Sequence, residues 1–219
     1  MPQVAALFDL DRTLLDTSSG SLYARYQYRI GLMNHRELLQ ISWWSLLTRL
    51  GLLKMDSLIP KLAATAQGQS EPDILSLCDR WFQQDVLPHV TERGQDRVRE
   101  HQAQGHLVAI VSASTQYVVG PMAAYLGIPG NYVCTRLENR GGQLTGKITP
   151  PACYGEGKVL WAERFAAEHD ADLGQSHFYT DSISDLPLLK RVGHPVAVNP
   201  DPRLRRKARQ RGWPIEQFY

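Results

Sequence analysis

Cysteine is scarce, long apolar runs are missing, and neither sign of charge is in excess. The 219 residues hold three cysteines, Cys78, Cys134 and Cys153, an odd number with neither a C-x-x-C pair nor the spacing of a disulfide framework. That argues against a disulfide-stapled scaffold and makes a reducing, cytoplasmic location the expectation. No apolar stretch approaches the roughly 18 residues of a membrane span. The N-terminal apolar run is cut by Asp9, so no secretion leader is expected. A net charge of +2 supplies no broad basic field for nucleic acid or a membrane surface. The basic stretch from Arg203 to Arg211 is read as the solvated face of a short helix. With 43% hydrophobic and 21% charged residues, the chain has the composition of a globular protein rather than a disordered one. The partner to expect is a small molecule, with no nucleic acid and no membrane; the oligomeric state stays open.

What is present is an alternation of two periodicities. Val4 to Phe8 is a continuous apolar run, the pattern of a strand buried on both faces, and it ends in Asp9 and Asp11. Side chains two apart on a strand share a face, so both carboxylates are expected to aim at one spot. Leu38, Leu39, Ile41, Trp43, Leu46, Leu47, Leu50, Leu52 and Leu53 then recur at helical spacing. This predicts an insertion of about four helices, with Ser70-Glu71-Pro72-Asp73 as a helix start and Leu87-Pro88 as a stop. Trp43 and Trp44 are expected to pack inside it, and His35, His89 and His169 show no ligand spacing.

Beyond Thr91 a polar helix leads to a strand from His106 to Ser112, a helix to Gly127, a strand at Tyr132-Val133-Cys134 and a hairpin across Gly141-Gly142. A helix from Gly157 carries Lys158, His177 to Thr180 is a strand ending in Asp181, and Pro195 to Val198 is the last strand expected. Strands alternating with helices predict an α/β fold, a Rossmann-like doubly wound parallel sheet. The expected division is a catalytic core of 1–17 and 89–219 with a helical cap, 18–88, inserted after the first strand.

Ligands of such sheets bind beyond the carboxyl ends of the strands, where this reading puts Asp9, Asp11, Ser112, Asp181 and Asp185. Carboxylates converging there need a cation, and hard oxygen ligands favour Mg²⁺ with a phosphate oxygen completing its shell.

Asp9-Leu10-Asp11-Arg12-Thr13, Val111-Ser112, Lys158 and Thr180-Asp181-Ser182-Ile183-Ser184-Asp185 stand in the order of four motifs. With the helical insertion between the first two, the chain resembles the haloacid dehalogenase superfamily, in its phosphoserine phosphatase-like branch. The resemblance implies that Asp9 attacks phosphorus and becomes an aspartyl phosphate, with Asp11 as general acid and later base. It also implies Mg²⁺ held by Asp9, the backbone carbonyl of Asp11, Asp181 and Asp185, the last directly or through water. Ser112 and the backbone at Ala113 would hold phosphoryl oxygens, and Lys158 would offset the charge gathered around Asp9.

The function this implies is a Mg²⁺-dependent phosphomonoesterase acting on a small phosphorylated metabolite. Phosphoserine enzymes grip the substrate ammonium with a glutamate nine residues after the nucleophile, a position held here by Ser18. Asp16 is the carboxylate left to bind a cation, and Arg12 is a further substrate contact, so another amino-bearing ester such as histidinol phosphate stands beside phosphoserine. Two alternatives remain: a non-catalytic phosphate-binding module on the same fold, and a carbon–halogen hydrolase, which generally lacks an acid at the Asp11 position.

Overall fold

A computed structural model describes residues 2–49 and 55–219; Leu50, Leu52 and Leu53 fall outside the described residues. The first strand, β1 (Ala5–Phe8), is buried along its whole length. Ala5 and Leu7 pack into one helix layer, Ala6 and Phe8 into the other, so the apolar run is continuous because both faces are covered. The remaining strands are β2 (Leu107–Thr115), β3 (Tyr132–Thr135), β4 (Leu137–Arg140), β5 (Gln143–Ile148), β6 (His177–Thr180), β7 (His194–Val198) and β8 (Ile215–Glu216). Six of them form one parallel sheet in the order β3-β2-β1-β6-β7-β8. The chain winds outward through β2 and β3, then returns to build β6, β7 and β8 on the other side of β1. The switch point therefore lies beside β1, where an open α/β sheet forms its ligand crevice.

Helices α5 (Glu92–Ala103) and α6 (Gln116–Tyr125) cover one face; α7 (Glu156–Glu168), α8 (Leu186–Leu189) and α9 (Pro202–Arg211) cover the other. The basic α9 buries Leu204 and Ala208 and turns its arginines outward. Gly212, in the left-handed region at φ 65°, ends it and sends the chain into the short edge strand β8, which apolar patterning does not announce. Among the described residues no helix is long and apolar enough to cross a membrane.

Between β1 and β2 stand α1 (Ser19–Arg29), α2 (His35–Arg49), α3 (Met55–Ala64) and α4 (Glu71–Trp81). A bridge between Leu15 and Val90 and a bond from the Asp16 N–H to the His89 carbonyl (3.0 Å) close the neck of this insertion. A second anchor is the β4–β5 hairpin, whose turn residues Gly141 and Gly142 both take positive φ. Its backbone pairs with the segment before α4: the Gly68 N–H donates to the Leu144 carbonyl (2.8 Å), and the Leu144 N–H to the Gln69 carbonyl (2.9 Å). The α1–α2 half has no such backbone pairing among the described residues. α2 lies along α1, and Trp43, expected to pack inside, is 57% exposed beside exposed Leu39 and Leu46. Helical periodicity identified the helix but not how much of its surface the fold would cover.

At the amino ends of the strands the structure gathers histidines that showed no pattern in the sequence. His101 of α5 is buried; its Nε2 bonds the Tyr179 hydroxyl and its Nδ1 the Nδ1 of His106, each at 2.8 Å. His177 and His194, paired in register at the starts of β6 and β7, stack with centroids 4.6 Å apart.

Candidate active site

β1 stops at Phe8, and the chain enters a tight turn over Leu10–Leu14 in which Arg12 has φ 56°. Asp9 still continues the ladder, its N–H donating to the Tyr179 carbonyl at 2.9 Å. Asp11 does not: it lies inside the turn, so strand alternation is not what brings the two acids together. Just beyond Asp11 the left-handed Arg12 backbone turns the chain back, its N–H donating to the Thr17 carbonyl at 3.0 Å, at a cost of about 1 kcal/mol or more for a side chain with a Cβ. The turn aims Asp11 at the start of α1 and the end of β2. One carboxylate oxygen accepts the Ser19 N–H at 2.7 Å, the other the Ser114 hydroxyl at 3.1 Å, and the two serine hydroxyls share a 2.8 Å bond.

Lys158 is 2% exposed, and its Nζ lies 2.7 Å from both Asp9 Oδ1 and Asp185 Oδ2. Burial alone would depress the ammonium, but Asp185 and Asp9 outweigh it and raise its pKa. Asp9 is pushed up to about 7, first by burial, against the pull of Lys158 and with Asp185 and Asp11 adding repulsion. Asp181, also buried, is raised by burial and by Asp9, with Arg12 pulling the other way. Asp185 precedes α8 but makes no bond that caps it; it accepts Lys158 and the Thr180 hydroxyl (2.6 Å) on one oxygen. Lys147, the other lysine from β4 through α7, is exposed on β5.

Three buried carboxylates, Asp9, Asp181 and Asp185, thus share one buried ammonium and the nearby Arg12 guanidinium. The surplus of hard anionic oxygen fits Mg²⁺. Asp9, Asp181 and Asp185 are the ligands this donor set offers, with Asp9 and Asp185 each giving one oxygen to Lys158 and Asp185 that same oxygen to Thr180 as well.

β2 runs past Ser112 to Thr115, with an irregular step in its register against β3 between those two residues. That bulge lies at Ala113 and Ser114, and the Ser114 N–H donates to the Ser112 hydroxyl at 3.1 Å. Ser112, Ser114 and Asp11 therefore form one connected set. Asp16 is not brought in: it is exposed and bonded to His89 Nδ1 at 2.7 Å. Ser19 and Ser114 were missed in the sequence, as was Asp201, whose carboxylate caps α9 through the Arg203 and Leu204 N–H groups and also accepts the Ile183 N–H at 2.8 Å. One aspartate thereby pins the loop carrying Asp181 and Asp185.

A cavity of about 230 Å³ opens beside Arg12 under the α1–α2 half of the insertion, lined by Ser21, Arg25, Ser42, Ser45 and Leu46. It is cationic and hydroxyl-rich, with no carboxylate among its walls.

Lys158 owes its position to Gly157. A Cβ on Gly157 would sit 2.0 Å from the Ala152 carbonyl oxygen, so any side chain must displace the start of α7. Gly157→Ala is expected to cost about 1–3 kcal/mol of stability. It should also slow turnover about tenfold or more, because an ångström of misplacement is expensive at a reacting centre. Urea unfolding and steady-state rates check both; an unchanged rate would detach catalysis from the placement of Lys158.

The model of haloacid dehalogenase-like hydrolases matches residues 6–190. A "probable phosphatase" of Mycobacterium tuberculosis is 35% identical over 219 residues, covering 99% of this chain and 76% of that protein. A histidinol-phosphatase of Neisseria meningitidis is 30% identical over 218 residues, 97% of this chain and 98% of its own. The structure of a substrate-bound phosphoserine phosphatase superposes with a TM-score of 0.73 at 19% identity, covering 100% of this chain and 94% of that one, a likeness of fold.

Proposed function

The chain belongs to the haloacid dehalogenase-like hydrolases, and from that premise we propose that it is a Mg²⁺-dependent phosphomonoesterase that works through an aspartyl phosphate on Asp9. The observation that carries this reading is Lys158 Nζ, buried and bonded to Asp9 on one carboxylate oxygen only. The second oxygen of Asp9 is the attacking atom. Asp9 gains a bond to phosphorus as the ester oxygen departs, and Asp11 hands that oxygen its proton. Asp11 then takes a proton from the water that opens the acyl phosphate. Its bonds from Ser19 and Ser114 hold it in place between the two steps. Ser112 and the Ala113 backbone hold the phosphoryl oxygens, and Lys158 offsets their charge together with that of Asp9. Asp9, Asp181, the Asp11 carbonyl and, directly or through water, Asp185 would hold Mg²⁺, which would supply charge neutralisation at the phosphoryl group. Residues 18–88 act as the cap that shields the site from bulk water.

The substrate is a small phosphorylated metabolite, and the cavity constrains the rest of it. Asp16, the carboxylate expected to hold an ammonium, is committed to His89, whereas Arg12 and Arg25 face the cavity. A carboxylate or hydroxyl group beyond the phosphate suits those walls. Phosphoserine brings a carboxylate; histidinol phosphate, the substrate in one relative's name, brings none. Phosphate release should be measured with Mg²⁺ on an aryl phosphate, phosphoserine, histidinol phosphate, sugar phosphates and nucleotides. The expected result is Mg²⁺-dependent turnover with the highest kcat/KM on a carboxylate- or hydroxyl-bearing ester. Arg25→Ala should raise KM for that ester about tenfold at nearly constant kcat, the loss of one charged hydrogen bond. No phosphate release from any ester would favour a non-catalytic module; preference for histidinol phosphate with an indifferent Arg25→Ala would overturn the substrate reading alone.

A further inference from the structure

The triad of histidines at the amino edge of the sheet lies far from the proposed reaction. His177 starts β6 and Asp181 follows its end, about 13 Å along an extended strand. The candidate ligand atoms of His101, His106 and His177 lie within 4.8 Å of one another. We infer that these three imidazoles form a second metal site, for Zn²⁺ or a similar late first-row divalent ion, separate from the carboxylate site that suits Mg²⁺.

The geometry is that of a site with a proton where the ion would go. His101 Nδ1 and His106 Nδ1 stand 2.8 Å apart, which requires one proton shared between two imidazole lone pairs. Replacing it with an ion about 2.1 Å from each nitrogen asks the pair to open to roughly 3.4 Å, and asks His177 to close from within 4.8 Å, a movement of at most about 1.4 Å. His101 is oriented for this by the Tyr179 hydroxyl on its Nε2 (2.8 Å), the kind of outer bond that fixes a ligating ring. Tyr179 is itself held by stacking on Phe8 at 4.6 Å. His106 and His177 are half-buried and His194 is exposed, so an ion enters from solvent and a fourth position stays open to water. Arg97 is the opposing cation nearby, and it is already paired with Glu100 and Glu216 at 2.7 Å each. Burial, the neighbouring imidazoles and Arg97 hold His101 near 3 and His177 near 4, so both rings are neutral ligands at neutral pH. Three nitrogen donors and no carboxylate select against Mg²⁺ and Ca²⁺.

The test uses the full untagged chain, stripped with chelator and titrated calorimetrically with Zn²⁺ in excess Mg²⁺, with Co²⁺ as a spectroscopic probe. One equivalent of Zn²⁺ should bind, Co²⁺ should give the strong visible absorption of a four-coordinate site, and Zn²⁺ should raise the melting temperature. His106→Gln and His177→Gln should each weaken binding at least about tenfold, the scale at which even outer partners matter. Both are partly exposed positions, and melting of the metal-free variants confirms that they fold. Asp181→Asn should leave Zn²⁺ binding intact. The inference is overturned if no Zn²⁺ binds in excess Mg²⁺, if both histidine variants bind as the parent does, or if binding disappears with Asp181→Asn.

Discussion

Asp9→Asn is expected to reduce phosphomonoester turnover by at least about 10⁴-fold, the scale seen when a nucleophile is removed, and to leave the protein folded. The amide nitrogen cannot attack phosphorus, and the neighbouring carboxylates have other places: Asp181 is a proposed metal ligand. Asp185 is committed to Lys158 and Thr180, and Asp11 is turned toward Ser19 and Ser114. The fold should tolerate the change because Lys158 keeps Asp185 as a partner at 2.7 Å. Asp9 is pushed up to about 7 chiefly by burial, so its ionised form is costly where it stands. A neutral isostere is therefore expected to match the metal-free parent in urea unfolding or to exceed it slightly. Retention of more than a hundredth of the rate would remove Asp9 as nucleophile. Loss of cooperative unfolding would leave the rate uninterpretable, and Asp9→Glu then serves as the second variant, keeping the charge while displacing the attacking oxygen.

The parts of this site differ in how visible they were before folding. β1, β2 and β6 were legible because strands buried on both faces must be apolar throughout, and a polar residue at the end of such a run marks the mouth of the sheet. Asp9, Ser112 and Asp181 were found that way, and Lys158 by the order of motifs around it. The turn that follows Asp11 and brings Ser19 to it was not legible, since it depends on an arginine adopting positive φ, which residue type argues against. Ser19, Ser114 and Asp201 were missed for a related reason. Small polar residues at helix starts are common, and only three-dimensional contact separates a brace from a solvated cap. The histidine cluster draws on α5, the approach to β2 and the start of β6, which no local spacing connects. Trp43 shows the reverse error, a helical apolar pattern taken as burial where the fold leaves one side open.

Lys158→Met should cost both rate and stability, and pH separates the two. The thioether side chain fills much of the lysine volume but leaves Asp9 and Asp185 without the buried ammonium that touches both at 2.7 Å. Removing one member of a buried ionic group typically costs about 3–5 kcal/mol, because the remaining charges are stranded. Turnover should fall about 10²- to 10³-fold, the range for losing one pre-organised contact to developing charge. In metal-free protein Asp9 is raised from 3.8 to about 7, so its contribution to stability is complete below 3.8 and is lost as pH rises through about 7. Without Lys158 the attraction that restrains Asp9 is gone, and its pKa moves higher still. At about pH 6 the stranded Asp9 can protonate and soften the penalty; at about pH 9 it does so less. Urea midpoints of the metal-free variant should therefore drop more steeply with rising pH than those of the parent. Mg²⁺ should recover part of the loss, since an ion at Asp9 and Asp181 replaces some of the missing positive charge. A variant within threefold of the parent rate, or one whose stability deficit is the same at both pH values, would mean that Lys158 neither offsets the charge of the reacting group nor holds the carboxylates together.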